Sequence, residues 1–297
     1  MKRWSLVVVV LPLLCAGPAL AHERSGELPA DPWLSLPLLL TGCLYLAGHL
    51  RLASLRRRRR QGHRYRQRFR HGRALLFGAG WLMLALPIAT PLHVLGERSF
   101  TAHMVEHEII MIVAAPLLAA SRPLGILLWS LPTTAQRALV RLGRRGGFRQ
   151  GWAFMTSATV ATVVQALVLW LWHLPAAFET ALASPAAHAA QHVSFLASAV
   201  LFWWSMGRRA KYGEAAFCQF LTLLQTGMLG ALMSFSTGIW YRSYAEGLDG
   251  LTALEDQQLA GLIMWIPAGM VHAGAAMLLI AALLRTAEGR RHVQMAD

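Results

Sequence analysis

The chain has 297 residues, of which 56% are hydrophobic and 14% are charged, and its formal net charge is +14. Its mean hydropathy is +0.44. This composition excludes an ordinary soluble protein, and apolar segments of about 20 residues, the length that crosses ~30 Å of hydrocarbon, recur along it. We therefore expect an all-α membrane protein with no separate soluble domain.

The first 21 residues have the layout of a cleavable secretory signal. Lys2 and Arg3 precede a short apolar run, and the sequence Ala-Leu-Ala at 19–21 precedes the expected cleavage site. The mature chain would begin at His22. An uncleaved first span is the alternative, which the polar residues after position 21 disfavour. Residues 22–297 are then predicted to form a single polytopic membrane domain.

The rest of the chain predicts a bundle of seven transmembrane helices. The segments 51–73, 121–150, 207–214 and 285–297 together hold 23 Lys and Arg, whereas the opposite loops hold three. Because cytoplasmic loops are enriched in these residues, we expect the mature N-terminus outside and the C-terminus in the cytoplasm. The predicted spans are approximately 33–52, 74–95, 101–120, 151–173, 186–206, 215–239 and 256–284.

A basic tract, residues 56–73, follows the first predicted span. Basic tracts of this kind can bind nucleic acid, but beside a membrane span they set topology and attract anionic lipid headgroups. We therefore expect anionic lipid as a partner at the basic cytoplasmic loops, and no nucleic acid.

Six of the twelve histidines lie at the predicted external ends of spans. Ionisable groups in membrane segments are costly and tend to mark function, so an accumulation at one depth indicates a shared site. Two pairs have a spacing of four residues, which places both imidazoles of a pair on one helix face. The six residues are His93, His103, His107, His173, His188 and His192.

Four imidazoles from two helices can hold one transition metal ion in a bundle core. We predict His103, His107, His188 and His192 as the metal ligands, with His93 and His173 as further candidates. Thioether sulfur selects Cu(I), so the nearby Met104 and Met111, which are further candidate ligands, favour copper as Cu(I).

Acceptors beside an imidazole can fix its tautomer. Glu106 and Gln191 occupy the same place within the two histidine pairs, and we expect them to orient the imidazoles. Asp256 and Gln257 begin the last predicted span at the same membrane surface. We expect these two to support the site or to contact a partner.

Two alternatives remain open for the histidine pairs. His-x-x-Glu-His, at 103–107, also spells the inverted zinc-protease motif, in which Glu106 would activate a water bound to zinc. The second pair carries Gln191 in the place of this base. Alternatively, one histidine from each of two helices could ligate a single haem.

Three sequence blocks resemble the CtaG family of membrane-embedded, caa3-type cytochrome c oxidase assembly factors. The likeness runs from about Leu75 to Leu284, and Glu106 departs from the Gln that relatives commonly carry there. The blocks are HMVEHEIIMIVAAPLL followed by Arg-Pro, WHLPAAFETAL with HAAQHVSFLASAVLFWW, and DQQLAGLIMWIPAG.

The resemblance implies a multi-pass protein of the bacterial plasma (inner) membrane that is needed to make active haem–copper oxidase. It implies that the protein helps copper reach the oxidase copper centre, with oxidase subunits and a periplasmic copper donor as partners. We therefore expect a copper-binding delivery protein and not an enzyme.

Overall fold

The computed structural model describes residues 32–58, 64–247 and 250–294, and these residues form helices and connecting loops without a β-strand. The predicted signal at 1–21, the expected start at His22 and part of the basic tract at 56–73 lie outside the described residues. The helices are α1 Pro32–Arg58, α2 Arg64–Ala89, α3 Leu92–Gly96, α4 Phe100–Glu108, a π-helix Ile109–Ala114, α5 Ala115–Ser121, α6 Leu124–Ser130, α7 Thr133–Arg144, α8 Gly146–Met155, α9 Ala158–Trp172, α10 Pro175–Ala183, α11 Pro185–Arg208, α12 Tyr212–Ser234, a 3-10 turn Arg242–Tyr244 and α13 Ala253–Gln294.

The all-helical membrane architecture is confirmed. Within the described residues, five helical segments are long and apolar enough to cross a membrane, and α8 with α9 adds a sixth if this pair, bent by 64°, is one span. The helices thus fit a multi-pass membrane protein. The five segments are Trp33–Leu55, His71–Ala89, Phe100–Ser121, Tyr212–Ser234 and Ala253–Glu288.

Helix α11 is the element that separates this count from the predicted seven. Its 24 residues give a length of about 36 Å, enough to cross a bilayer. It is nevertheless absent from the apolar segments, because it carries polar side chains that are buried against other helices, including Gln191, His192, Ser198 and Ser205. The seventh span and the orientation of the termini stay predictions.

The predicted spans differ from the helices mainly where the chain breaks. The span predicted at 74–95 stops at Ala89, and Pro91 precedes the separate short helix α3 because a proline has no N–H to continue the ladder. The span predicted at 215–239 stops at Ser234. Helix α13 begins before the predicted span 256–284 and ends after it.

The third predicted span lies at the centre of the bundle. Of its most apolar window, 56% of the residues are buried, against 11% for the window in α1. The span contains a π-helix, a distortion often found at functional sites. Within the π-helix the backbone carbonyl of Met111 accepts a hydrogen bond from the Trp203 indole of α11 at 3.1 Å. The wider turn is therefore stabilised by a neighbouring helix.

Helices α12 and α13 pack closely through glycine. A Cβ at Gly230 would lie 2.7 Å from the carbonyl oxygen of Gly261, and a Cβ at Gly261 would lie 2.6 Å from that of Gly230. Only residues without a side chain allow this approach, which is a common way for helices to associate in membranes. Helix α13 also packs against α4 and therefore connects this pair to the central span.

Candidate metal site

The first turn of α4 is held by the start of α13. Asp256 accepts hydrogen bonds from the backbone N–H groups of Phe100 at 2.7 Å and Thr101 at 3.1 Å, and from the Ser99 hydroxyl at 2.9 Å. A carboxylate at a helix N-terminus satisfies free N–H groups and complements the helix dipole. Asp256 thus supports the site indirectly, because α4 carries two of the predicted ligands in its next turns.

The six histidines predicted at span ends lie together at one end of the bundle, which we call the histidine end. Within each pair, His103 with His107 and His188 with His192, the ring centroids are 4.3 Å apart. Between the two helices, His107 lies 5.1 Å from His192 and His103 lies 5.5 Å from His188. The two histidine pairs, each with a four-residue spacing on its own helix, therefore form one cluster.

The two further candidates border this cluster. His93 of α3 lies 5.4 Å from the ring of His188, and His173, which follows α9, lies 6.5 Å from the ring of His107. Both side chains are buried. Four separate segments of the chain thus contribute imidazoles to the histidine end.

Three of the four predicted ligands come close enough to share an ion. One nitrogen from each of His103, His188 and His192 lies within 4.8 Å of the other two. Zinc–imidazole bonds are about 2.0–2.1 Å, so two nitrogens on such an ion are at most about 4 Å apart. Side-chain movements of less than about 1 Å would close the difference. His107 is not part of this group.

Several imidazole nitrogens at the histidine end are buried without a hydrogen-bond partner. Buried polar groups in proteins nearly always have a hydrogen-bond partner, so several buried nitrogens without one at the same place indicate a ligand site. Each of these nitrogens can offer a lone pair to a cation when the imidazole is neutral. The atoms are His103 Nε2, His107 Nδ1 and Nε2, His173 Nε2 and His192 Nε2.

Glu106 lies beside the imidazoles, as predicted. Both of its carboxylate oxygens are 3.2 Å from Nδ1 of His93, and one is 3.6 Å from Nδ1 of His192. A carboxylate at Nδ1 favours the tautomer that leaves Nε2 with its lone pair. Glu106 therefore orients two imidazoles and brings a negative charge next to the three-histidine group.

Gln191 does not repeat the contacts of Glu106. Its side chain is fully buried, and neither its amide oxygen nor its amide nitrogen has a hydrogen-bond partner. The two histidine pairs therefore match in spacing but differ in the hydrogen bonds of the residue between them.

Two tyrosines hold the loop segments around the site, and the sequence analysis did not find them. The Tyr241 hydroxyl donates to the carbonyl of His173 at 2.8 Å, and the Tyr244 hydroxyl donates to the carbonyl of Gly96 at 2.7 Å. Burial raises the pKa of both phenols, so they remain protonated donors. The aromatic sequence WYRSY at 240–244 was the available signal.

Gln257 holds the same loop. Its amide oxygen accepts from the Trp240 backbone N–H at 2.7 Å, and its amide nitrogen donates to the Gly238 carbonyl at 3.1 Å. Gln257 thus acts on the segment that leads into the tyrosines. Met104 and Met111, in contrast, are buried within the apolar cluster that also contains Phe178.

The histidine end is enclosed and has one more open side. His103 and His192 are 2% and 5% exposed, whereas His188 is only partly buried. Fully buried Phe178 and Phe195 pack against the imidazoles of His103 and His107, at centroid distances of 5.1 and 4.7 Å. The arrangement offers neutral nitrogen ligands and one carboxylate within an apolar wall, with access past His188.

The sequence model of a protein family described as cytochrome c oxidase caa3 assembly factor matches residues 43–286. The chain belongs to this family. No curated protein and no solved structure shows a significant match to the chain. The matched region contains the complete histidine end, including Asp256 and Gln257, so the family resemblance inferred from the sequence blocks is confirmed.

Membership establishes the broad role of the protein. It is a member of a cytochrome c oxidase assembly factor family, which suggests a non-catalytic role. In this chain, four segments contribute imidazoles to one cluster. The chemistry of that cluster is the basis for a more specific function.

Proposed function

We propose that this assembly factor binds copper at the histidine end and helps deliver it to the copper centre of the oxidase. The observation that carries the proposal is the group of His103, His188 and His192, whose nitrogens can share one ion. Within the described residues, Nε2 of His103 and Nε2 of His192 are also buried without a hydrogen-bond partner. Imidazole suits Cu, Zn, Fe and Ni, and copper is the choice that agrees with an oxidase assembly role.

In this proposal His103, His188 and His192 hold the ion, which is a cargo and not a resident cofactor. Glu106 offsets part of its positive charge and keeps Nε2 of His192 directed at the ion. His188 is the partly exposed member of the group, so exchange with a donor or an acceptor protein would occur there. The fourth predicted ligand, His107, would serve as a neighbouring position during exchange.

The partners follow from the predicted orientation. The loops at the arginine-rich end would lie in the cytoplasm, so the histidine end would face the periplasm. A periplasmic copper donor would load the site, and haem–copper oxidase subunits would receive the ion. Cu(I) is the oxidation state of the ion in this proposal. Met104 and Met111, whose thioethers favoured Cu(I) in the sequence, lie in the apolar cluster and are not among its ligands.

Two other functions predicted from the sequence are less well supported. In a zinc protease Glu106 would have to accept a proton from bound water, but its carboxylate already contacts two imidazoles. A haem macrocycle between two histidines would have to displace Phe178 and Phe195, which are fully buried against the rings.

The proposal is tested by measuring copper bound to the purified protein. After anaerobic loading with Cu(I) and desalting, we expect about one copper per wild-type chain by elemental mass spectrometry. Loss of residues that only support metal ligands costs about 10–100-fold in affinity, so loss of two ligands in H188A/H192A should cost more. H107A should keep most of its copper, since His107 is outside the three-histidine group.

The matched control is H49A/H71A, which removes two histidines that are not part of the cluster. Its copper content should equal that of the wild type. In cells, H188A/H192A should leave the oxidase deficient in copper while the variant remains in the membrane. Equal copper in H188A/H192A and wild type would reject the ligand assignment, and a Soret band in the purified protein would favour haem.

A further inference from the structure

A second polar region lies at the opposite end of the bundle from the histidines. A cavity of about 430 Å³ lies there between α5, α11, α12 and α13. Arg122 and Arg208 line it together with the Trp203 and Trp204 indoles, and Leu278 and Leu279 of α13 form part of its apolar wall. We call it the arginine cavity.

Arg122 has an unusual backbone conformation. Its φ of 56° and ψ of 58° are left-handed, and it is the one non-glycine residue with positive φ among those described. The next residue is Pro123, and a residue before proline normally prefers extended backbone. Non-glycine residues in such conformations persist where the surrounding structure requires them, often at ligand sites. The conformation ends α5 and places Arg122 on the lining of the cavity.

The arginines of the cavity lie near other positive charges. Burial lowers the pKa of Arg122, and the charges of Arg208 and Arg73 lower it further. The Arg208 guanidinium lies 5.8 Å from the ring centroid of Trp204. Among the described residues, no carboxylate lies within ion-pair distance of Arg122 or Arg208. Both arginines are exposed, so an anion from outside the chain can reach this group of positive charges.

The shape of the cavity selects the kind of anion. Guanidinium groups bind phosphate with paired, directional hydrogen bonds. The wall formed by Leu278 and Leu279 offers nothing to a free phosphate, but it suits a hydrocarbon chain. Leu278 is also 74% exposed, so this wall continues onto the outer surface of α13. A ligand with a phosphate and an acyl chain matches both parts.

We propose that the arginine cavity binds one anionic phospholipid, with its phosphate on Arg122 and Arg208 and an acyl chain along Leu278 and Leu279. The site is distinct from general attraction of lipid to basic loops, because it combines a defined cavity, a constrained arginine and an apolar wall. It is also independent of copper. Arg208 lies 16 residues after His192 on α11, or about 24 Å along the helix.

The test compares two double variants with the same loss of charge. R122Q/R208Q removes the cavity arginines, and R141Q/R144Q removes two exposed arginines from α7 as the control. Full-length protein in detergent is titrated with phosphatidylglycerol, with phosphatidylcholine and with inorganic phosphate, and the thermal unfolding midpoint is measured. Native mass spectrometry then counts the phosphatidylglycerol molecules that each protein retains.

We expect phosphatidylglycerol to raise the midpoint of the wild type and of R141Q/R144Q, with at least half of that shift lost in R122Q/R208Q. One retained phosphatidylglycerol should be lost from R122Q/R208Q alone, and copper loading should be unchanged. Equal shifts in both double variants would overturn the proposal, as would an equal effect of inorganic phosphate, which would indicate a simple anion site. If R122Q/R208Q does not fold, R208Q alone must show the loss of retained lipid.

Discussion

Helix α11 connects two polar regions of opposite character. Near its start, His188 and His192 belong to a cluster that is largely enclosed, whereas Arg208 at its end is exposed beside a cavity that reaches the lipid-facing side of α13. An enclosed cluster of neutral nitrogens admits something as small as an ion. An open cavity with charged arginines and an apolar wall admits something large and amphiphilic. The degree of enclosure, more than the polarity of the residues, thus decides whether each region can admit an ion or a lipid.

The largest effect should come from disturbing the close packing of α12 against α13, which supports both ends of the bundle. In Gly261→Ala the new Cβ would lie 2.6 Å from the Gly230 carbonyl oxygen and 2.5 Å from the Ser234 hydroxyl. Overpacking of this kind costs about 1–3 kcal/mol. The thermal unfolding midpoint in detergent should fall, and both copper loading and lipid retention should fall with it.

Gly269→Ala on the same helix is the matched control, because its added Cβ would meet no atom of a neighbouring helix or packed side chain within 4 Å among the described residues. It should leave the midpoint unchanged or slightly higher, since alanine is the better helix former. If Gly261→Ala lowers copper loading but leaves lipid retention intact, the two ends do not share α13 as a common support.

A smaller effect, limited to the histidine end, should follow from Asp256→Asn. This change removes the negative charge at the start of α4, and a charge in this position is worth about 0.3–2 kcal/mol. Copper loading should fall severalfold, because His103 and His107 lie on the helix that the cap holds. Retained phosphatidylglycerol should not change.

Glu255→Gln is the neighbouring control. Glu255 is exposed and, within the part of the chain that the structure describes, accepts hydrogen bonds only from Thr252, which precedes its helix. Copper per chain measured in parallel should be normal in this variant. Equal losses from both carboxylates would mean that the charge of the α13 start, and not the contact with α4, supports the site.

The fold was predictable where hydrophobic length alone decides it. The five apolar segments coincide with five of the predicted spans. The break after Ala89 and the 64° bend between α8 and α9 were missed, because the predicted spans followed overall hydropathy and gave no weight to Pro91 or to the polar pair Thr156 and Ser157. Helix α11 was found from sequence although its polar side chains lower its hydropathy.

For the site, spacing within a helix was informative and orientation between helices was not. The four-residue spacing of His103 with His107, and of His188 with His192, correctly predicted which rings share a face. That His107 stays outside the three-histidine group depends on how α4 and α11 cross. Tyr241 and Tyr244 act through single hydrogen bonds from a loop, for which the chain has no periodic signal.

The effect with the narrowest reach should be that of Glu106→Gln, which changes copper affinity without loosening α4 and also separates copper carriage from proteolysis. The amide oxygen can still accept a hydrogen bond from His93, so the imidazoles keep their orientation while the site loses one negative charge. Copper affinity should fall by no more than about tenfold, at the low end of losses for residues that support ligands. Competition with a Cu(I) chelator of known affinity measures it.

The comparison variant is Glu108→Gln, two residues along the same span. It makes the same chemical change at a carboxylate whose Oε2 atom has no hydrogen-bond partner among the described residues. Its copper affinity should match the wild type. A protease would instead lose turnover in Glu106→Gln, since the motif would be deprived of its base. If Glu106→Gln abolishes copper binding as completely as H188A/H192A does, the carboxylate is itself a ligand, and the enclosed neutral site becomes a charged one.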